Sequence, residues 1–461
     1  MASRLLVICA VGLVSDLVGP RLEALARAGW RRRVRPVFPA VTCTAQASML
    51  TGRLPRDHGI VANGWYFRDL SEVWLWRQSH RLVQGERVWD AARARRPGLT
   101  VGKMFWWYNM YANVDVACTP RPEYPADGRK IPGVYTRPYA LRDRLERRLG
   151  PFPLFRFWGP ATDLSSTRWI VDATLDVMEH EGPDLVLGYL PHLDYVLQRE
   201  GPGSPAVAED VARLDEQLGR LIDAARAQDR EVLVVSEYGI GPVARPVFVN
   251  RALREGGWLS ALFQASVGET LDAGASRAFA VCDHQVAHVY VADPADVPAV
   301  ARALEGLDGV GEVLVGEGRA RAGVDHERAG EIVLEAAPDA WFAYPYWLDD
   351  ARAPDFARTV DIHRKPGYDP AELFLDPALA LPRLRIARRL LARRLGFRNL
   401  LDVIPLDPSM VAGSHGHRPR DPALHPVLVG GPGVPAPPDD PELDLRVVRD
   451  VVLGALTEAA P

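Results

Sequence analysis

The stretch LLVICAVGLVSDLV, Leu5 to Val18, decides the architecture. An unbroken apolar run enters Ala10-Val11-Gly12, the pattern of a strand buried on both faces that ends in a tight turn. In α/β enzymes polar chemistry sits just past such strand ends. Val11 occupies that place here, so the first strand end lacks the group the chemistry would use. Three more short apolar runs read as strands: Asp184 to Leu190, Glu231 to Ser236 and His425 to Gly430. Between them Val207, Val211, Leu214, Leu218, Leu221 and Ala225 recur at three- and four-residue steps, which predicts an amphipathic helix over 205–228. Trp169 to His180 reads the same way.

Alternating strands and helices predict an α/β fold, a mostly parallel sheet with helices on both faces. Residues 286–336 differ, with strands at Val286 to Val291, Glu312 to Val315 and Glu331 to Leu334 and a helix at Pro294 to Leu307. They form a small α+β unit set over the main sheet. The expected division is a main core over 1–280 with an aromatic-rich insertion near 104–165, then an α+β cap-like insertion over 281–405. A return to the core and a C-terminal arm over 406–461 follow, the arm marked by Pro-rich VPAPPDDP.

The 461 residues, 48% hydrophobic and 25% charged, suffice for a large core. A net charge of -4 argues against a general binder of nucleic acid or membrane surfaces. The clusters Arg31 to Arg33 and Arg388, Arg389, Arg393, Arg394 read as solvated faces. Four widely spaced cysteines without a CxxC pair fit buried thiols and a cytoplasmic location. The first apolar run is too short to cross a bilayer, so no transmembrane segment is expected.

Candidate chemistry lies in four segments: PAVTCTAQASMLTG, PHLDYVLQREG, VSEYG and GSHGH. They supply Thr42, His192, Asp194, Glu237, Tyr238, His415 and His417. A hydroxyl, carboxylates and imidazoles together suit metal-assisted group transfer, with the hydroxyl as attacking group. Each residue also has a structural reading. Thr42 can cap the helix that follows, Asp194 and Glu237 can sit in turns, and His58 can fix a loop. His415, between small residues, has no evident packing role.

The order of these motifs resembles the alkaline phosphatase superfamily, in its nucleotide pyrophosphatase/phosphodiesterase branch. The resemblance covers most of the chain and is sharpest over PAVTCTAQASMLTGRLPRDHGIVANGWY, Pro39 to Tyr66. It implies an alkaline-phosphatase-like core, Thr42 as nucleophile at a helix N-terminus, and Asn63 holding a phosphate oxygen. Thr51-Gly52 and His58-Gly59-Ile60 keep the family register. Two zinc ions are usual in the family, but several ligand positions are replaced here. The opening Asp-Gly is Val11-Gly12, Ser-Asp-His-Gly is Ser236-Glu237-Tyr238-Gly239, and the His four residues after Asp194 is Gln198.

The implied metal residues are Asp194, His415 and Glu237, with Asp283, His284, Asp361 and His363 as secondary candidates. Asp361 to Lys365 is expected as an extended strand. The implied cofactor is one divalent metal, zinc first, at one site rather than two; a metal-free pocket is the other reading. Trp65, Tyr66 and Lys365 are the implied substrate contacts. The function implied is a phosphodiesterase/phosphohydrolase acting on a phosphate ester through Thr42. A pseudoenzyme binding a phosphorylated metabolite, and a phosphoryl transferase or isomerase, remain alternatives. The expected partner is a small phosphorylated metabolite rather than a nucleic-acid polymer. A sulfatase does not fit, because Cys43 stands beside the nucleophile position rather than in it.

Overall fold

The computed structural model describes residues 4–126, 128–397 and 399–457. The main sheet has eight strands: β1 (Arg4–Ala10), β2 (Trp30–Arg33), β3 (Val101–Met104), β4 (Val116–Pro120), β5 (Val134–Arg137), β6 (Leu185–Leu190), β7 (Arg230–Val235) and β12 (Val427–Gly430). Their spatial order is β2-β12-β7-β1-β6-β3-β4-β5. The five central strands, β7 to β4, run parallel. β5 closes one edge antiparallel, and β12 with β2 closes the other. The run at His425 to Gly430 is thus a strand, but it lies antiparallel to β7. β1 is the middle of the sheet, with Ile8 opposite Gly188 on one side and Val234 on the other. Its residues Leu5 to Ala10 are fully buried, as an apolar run without alternation requires.

Six helices matter below: α1 (Thr42–Thr51), α2 (Leu164–His180), α3 (His192–Glu200), α4 (Ala206–Ala227), α5 (Pro382–Arg394) and α6 (Val447–Thr457). α2 and α4 pack on β6 and β7 and touch each other, while α6 packs on β1 together with α1. The periodicity that predicts α4 places Leu214, Leu218, Leu221 and Ala225 in the core.

A second, antiparallel sheet of β8 (Ala278–Asp283), β9 (Val286–Val291), β10 (Val310–Val315) and β11 (Ile332–Ala336) is ordered β8-β9-β11-β10. Its apolar core also takes in Trp65, Leu75, Val247 and Leu253. The segment Arg245–Val247 pairs with Ala340–Phe342 in this layer. The second layer therefore begins near residue 245, ahead of the expected boundary at 281. The expected strand over Asp361 to Lys365 is instead a turn. Buried Glu372 holds both ends of it: its Oε1 accepts the Asp361 N–H at 2.9 Å and lies 2.7 Å from Lys365 Nζ, which also lies 2.7 Å from Asp369.

Candidate active site

α1 starts at Thr42, after extended Val41 and without a side-chain cap. Its first amides therefore lack intrahelical partners. One is taken up from outside: the Cys43 N–H donates to Asn63 Oδ1 at 2.9 Å. Asn63 is fixed in turn by Asp283, which accepts its backbone N–H at 2.8 Å and its Nδ2 at 3.1 Å. Asp283 closes β8, and His284 beside it, at φ 59°, turns back so that Nδ1 lies 2.7 Å from Asp283 Oδ1.

His58 locks the back of α1. Its Nδ1 accepts the Ile60 N–H at 3.1 Å, so the neutral ring donates from Nε2 to Ser48 Oγ at 2.9 Å. Burial lowers His58 to about 3, keeping that ring neutral.

The Thr42 hydroxyl lies 2.8 Å from the Tyr238 hydroxyl. Tyr238 follows β7 in the tight turn before Gly239, where an added Cβ would stand 2.3 Å from the Leu424 carbonyl oxygen. Burial holds the Tyr238 phenol well above its ordinary range, so it keeps its proton. Its neighbour Glu237 is fully buried and accepts from Gln46 Nε2 at 2.7 Å and from Cys9 Sγ at 3.3 Å. Burial raises Glu237 to about 8, against hydrogen bonding from Gln46, Cys9 and Thr42. Gln46 is oriented from its other end, where Oε1 accepts the Trp107 N–H at 2.7 Å.

Asp194 and His415 meet on the other side of Tyr238. The His415 ring stacks on Tyr238, centroids 3.6 Å apart, and donates Nδ1–H to the Ala40 carbonyl at 2.7 Å. That bond fixes the tautomer and leaves the lone pair on Nε2. Burial lowers the ring well below its usual range, so Nε2 stays unprotonated. His415 Nε2 faces Asp194 Oδ1 at 3.9 Å, and neither atom has a hydrogen-bond partner. The other Asp194 oxygen accepts from Gln198 Nε2 at 2.8 Å, and Gln198 Oε1 accepts from Tyr368 OH at 2.8 Å. Burial raises Asp194 to about 7, opposed by Gln198.

Two buried orphan atoms, one anionic oxygen and one imidazole lone pair, face each other as the donors of one cation would. The family's Thr-side metal does not fit. Val11 offers no donor, Tyr238 spends its hydroxyl on Thr42, and Glu237, whose Oε1 is taken by Gln46 and Cys9, leaves only its buried Oε2 without a partner. Among the described residues no group of three or more His, Cys, Asp and Glu side chains is arranged to hold a metal.

The remaining expected site residues separate into two groups. Asp283 and His284 join the cluster as supports, with His284 stacked 3.6 Å from Tyr368 and tilted against His415 at 3.8 Å. The others lie in different settings. Asp361 and His363 occupy the turn described above, with His363 exposed, so they do not pair on one strand face. Lys365 is neutralised by Asp369 and Glu372 and is not free for a phosphate. Trp65 stacks on Phe67, and Tyr66 packs on Phe279 and Tyr290, in the second core. His192 lies 3.1 Å from Asp210 between α3 and α4, and His417 bonds Gln285.

Three contributors were not anticipated. Gln46 had a signal, since it lies one turn after Thr42 on the same face of α1. Tyr368 and Trp76 had none, because no spacing ties them to the motifs. Tyr368 nevertheless joins Trp158 at 5.6 Å and Trp76 at 6.2 Å, and Trp76 meets Trp107 at 4.8 Å, forming an aromatic wall beside His284.

This sheet, with a hydroxyl at the head of a helix past its strand ends, defines an alkaline-phosphatase-like α/β protein. The type I phosphodiesterase / nucleotide pyrophosphatase family model matches residues 5–369, and the chain belongs to that family. An uncharacterised pyrophosphatase/phosphodiesterase of Schizosaccharomyces pombe is 24% identical over 52% of this chain and 42% of that protein. Human ectonucleotide pyrophosphatase/phosphodiesterase family member 7 is 26% identical over 50% of this chain and 45% of its own length. The chain thus matches less than half the length of these relatives. Among solved structures, phosphonoacetate hydrolase from Sinorhizobium meliloti, bound to phosphonoformate, superposes with a TM-score of 0.62 at 16% identity, covering 99% of this chain and 96% of its own. Murine ectonucleotide pyrophosphatase/phosphodiesterase 5, an inactive variant with AMP, gives 0.58 at 15% identity, covering 100% of this chain and 96% of its own. These two likenesses speak for the fold alone.

Proposed function

We propose that the protein is a phosphohydrolase that cleaves a phosphate ester through Thr42. One observation carries the reading: the Thr42 hydroxyl sits at the uncapped head of α1, 2.8 Å from the buried hydroxyl of Tyr238, the residue next to the buried carboxyl of Glu237. Tyr238 keeps its proton and, in this reading, donates it in the hydrogen bond to Thr42 Oγ1. The hydrogen of Thr42 is then directed to Glu237, whose carboxylate form, populated as pH rises through about 8, takes it as Oγ1 bonds to phosphorus and the bond to the leaving ester oxygen breaks, and then passes it to that oxygen. Water afterwards cleaves the phosphothreonine ester: its oxygen bonds to phosphorus, the bond from phosphorus to Oγ1 breaks, and its proton goes to Oγ1. The free amides of α1 and its dipole favour the anionic phosphoryl group, and Asn63 keeps the helix head in place.

Asp194 and His415 would hold one divalent cation, zinc by the chemistry of these donors. When bound, it would supply positive charge to the phosphoryl oxygens. The aromatic wall of Trp76, Trp107 and Tyr368 suits a ring-bearing ester, with a nucleotide-like phosphodiester as substrate class. The protein is tested with bis(4-nitrophenyl) phosphate and 4-nitrophenyl phosphate, purified without chelators. Release of 4-nitrophenol by wild type and its loss in Thr42→Ala is expected; equal release by both would reject the reading.

A non-catalytic binder of a phosphorylated metabolite has its own support. Asp283 occupies Asn63, and the Thr-side metal ligands are gone. That reading predicts AMP binding that survives EDTA without any turnover.

A further inference from the structure

α5 has the sequence PRLRIARRLLARR, with six arginines and no acidic residue, in a chain whose net charge is -4. No residue of the helix is buried. Its inner side is nonetheless tied down. Ile386 packs on Ala371, Val403 and Ile404, and Arg385 and Arg389 both pair with Asp402. The outer side carries Leu384 at 64%, Leu391 at 58% and Leu395 at 67% exposure. At 3.6 residues per turn these three fall within about 20° of one line. Arg383 and Arg394 flank the stripe on one side and Arg388 on the other, all exposed and outside any ion pair among the described residues. Phe397, 67% exposed, extends the apolar surface past the helix end.

A solvated helix gains nothing from a leucine stripe, and one facing its own core would bury it. An apolar stripe edged by arginines is the pattern of a helix lying in the plane of a lipid interface, leucines in the acyl boundary and guanidinium groups at the phosphates. We infer that α5 docks the protein on an anionic lipid bilayer. A second copy fits this face poorly, since it would bring Arg383, Arg388 and Arg394 of one copy against the same three of the other. A nucleic acid would answer the arginines but leave the leucines against water. Among the described residues no helix is long and apolar enough to cross a membrane, so this contact lies on the surface. The net charge, averaged over the chain, hides a local patch of opposite sign, and Arg388, Arg389, Arg393 and Arg394, expected as a solvated face, lie unburied on it. The inference does not depend on the chemistry at Thr42.

The test is flotation of the full chain with vesicles of phosphatidylcholine alone and of phosphatidylcholine with phosphatidylglycerol, at low and high salt. Wild type should float at least about tenfold better with the anionic vesicles, and lose that advantage at high salt. The triple variant Arg383→Gln, Arg388→Gln, Arg394→Gln should weaken binding about a hundredfold, at about fivefold per arginine. Leu384→Ser, Leu391→Ser, Leu395→Ser together should weaken it at least about tenfold. As all six residues are exposed, both variants should keep the wild-type circular dichroism. Leu391→Cys labelled with an environment-sensitive dye, possible because the native thiols are buried, should brighten on anionic vesicles. Three results would overturn the inference. One is no flotation of wild type. Another is undiminished flotation of the leucine variant, which would make the patch a polyanion site. The last is a wild-type dimer that the leucine variant dissolves, which would make the face a self-association surface.

Discussion

At the scale of residues, substitutions in the pocket act as a set. Tyr238 fills the space near Thr42 with a phenol 2.8 Å from its hydroxyl, and the proposed mechanism gives the Thr42 proton to Glu237. Glu237→Gln keeps the shape but removes the acceptor, and should lower kcat by about 10²- to 10⁴-fold with KM little changed, measured with an aryl phosphodiester. Unchanged kcat would remove Glu237 from the proposed proton path. Asp194 and His415 present orphan donors to each other. Asp194→Asn or His415→Gln should weaken zinc binding by at least about tenfold by calorimetry, while Glu237→Gln leaves it near wild type. Equal zinc affinity in all four proteins would show that these donors hold no cation. His58 gives a pH prediction. Its folded pKa of about 3 lies below the ordinary value of 6.5, so its contribution is complete above about pH 6.5 and is lost as pH falls toward 3. By pH 4.5 the loss is about 2–3 kcal/mol. The melting temperature of wild type should fall over that window, and His58→Gln, already less stable at pH 7, should fall less steeply. Parallel profiles would mean that His58 does not titrate on unfolding.

At the scale of elements, what was legible in the sequence depended on whether a pattern was local. The buried strands β1, β6 and β7 and the helices α2 and α4 follow from runs and periodicities within one segment. Strand direction does not, because β12 has the same apolar pattern whether it pairs parallel or antiparallel. The turn at Asp361 to Lys365 was hidden for another reason. Alternation suggests a strand, but Glu372, from outside the segment, holds the Asp361 N–H at one end and the Lys365 ammonium at the other. Lys365→Ala should therefore destabilise by about 3–5 kcal/mol, by leaving two buried carboxylates without their cation. A change below about 1 kcal/mol in chemical denaturation would contradict this account of the turn. In the site, Thr42, Asn63, Asp194 and His415 stood out by motif. Tyr368 and Trp76 reach the pocket only through long-range packing, so no spacing could announce them.

At the scale of the whole molecule, two layers meet at Asn63. Its side chain accepts from α1, and its donors bind Asp283 at the end of the second sheet. The head of α1 is thereby tied to the second layer as well as to the main sheet, where Tyr238, the partner of Thr42, follows β7. The central claim is that this junction performs phosphate-ester chemistry at the Thr42 hydroxyl. The most direct measurement is the rate of 4-nitrophenol release from bis(4-nitrophenyl) phosphate by wild type and Thr42→Ala, each supplied with zinc. The account predicts turnover by wild type and a loss of at least about 10³-fold in the variant, with AMP binding retained. Turnover undiminished in Thr42→Ala, or no turnover by folded, zinc-loaded wild type, would contradict it.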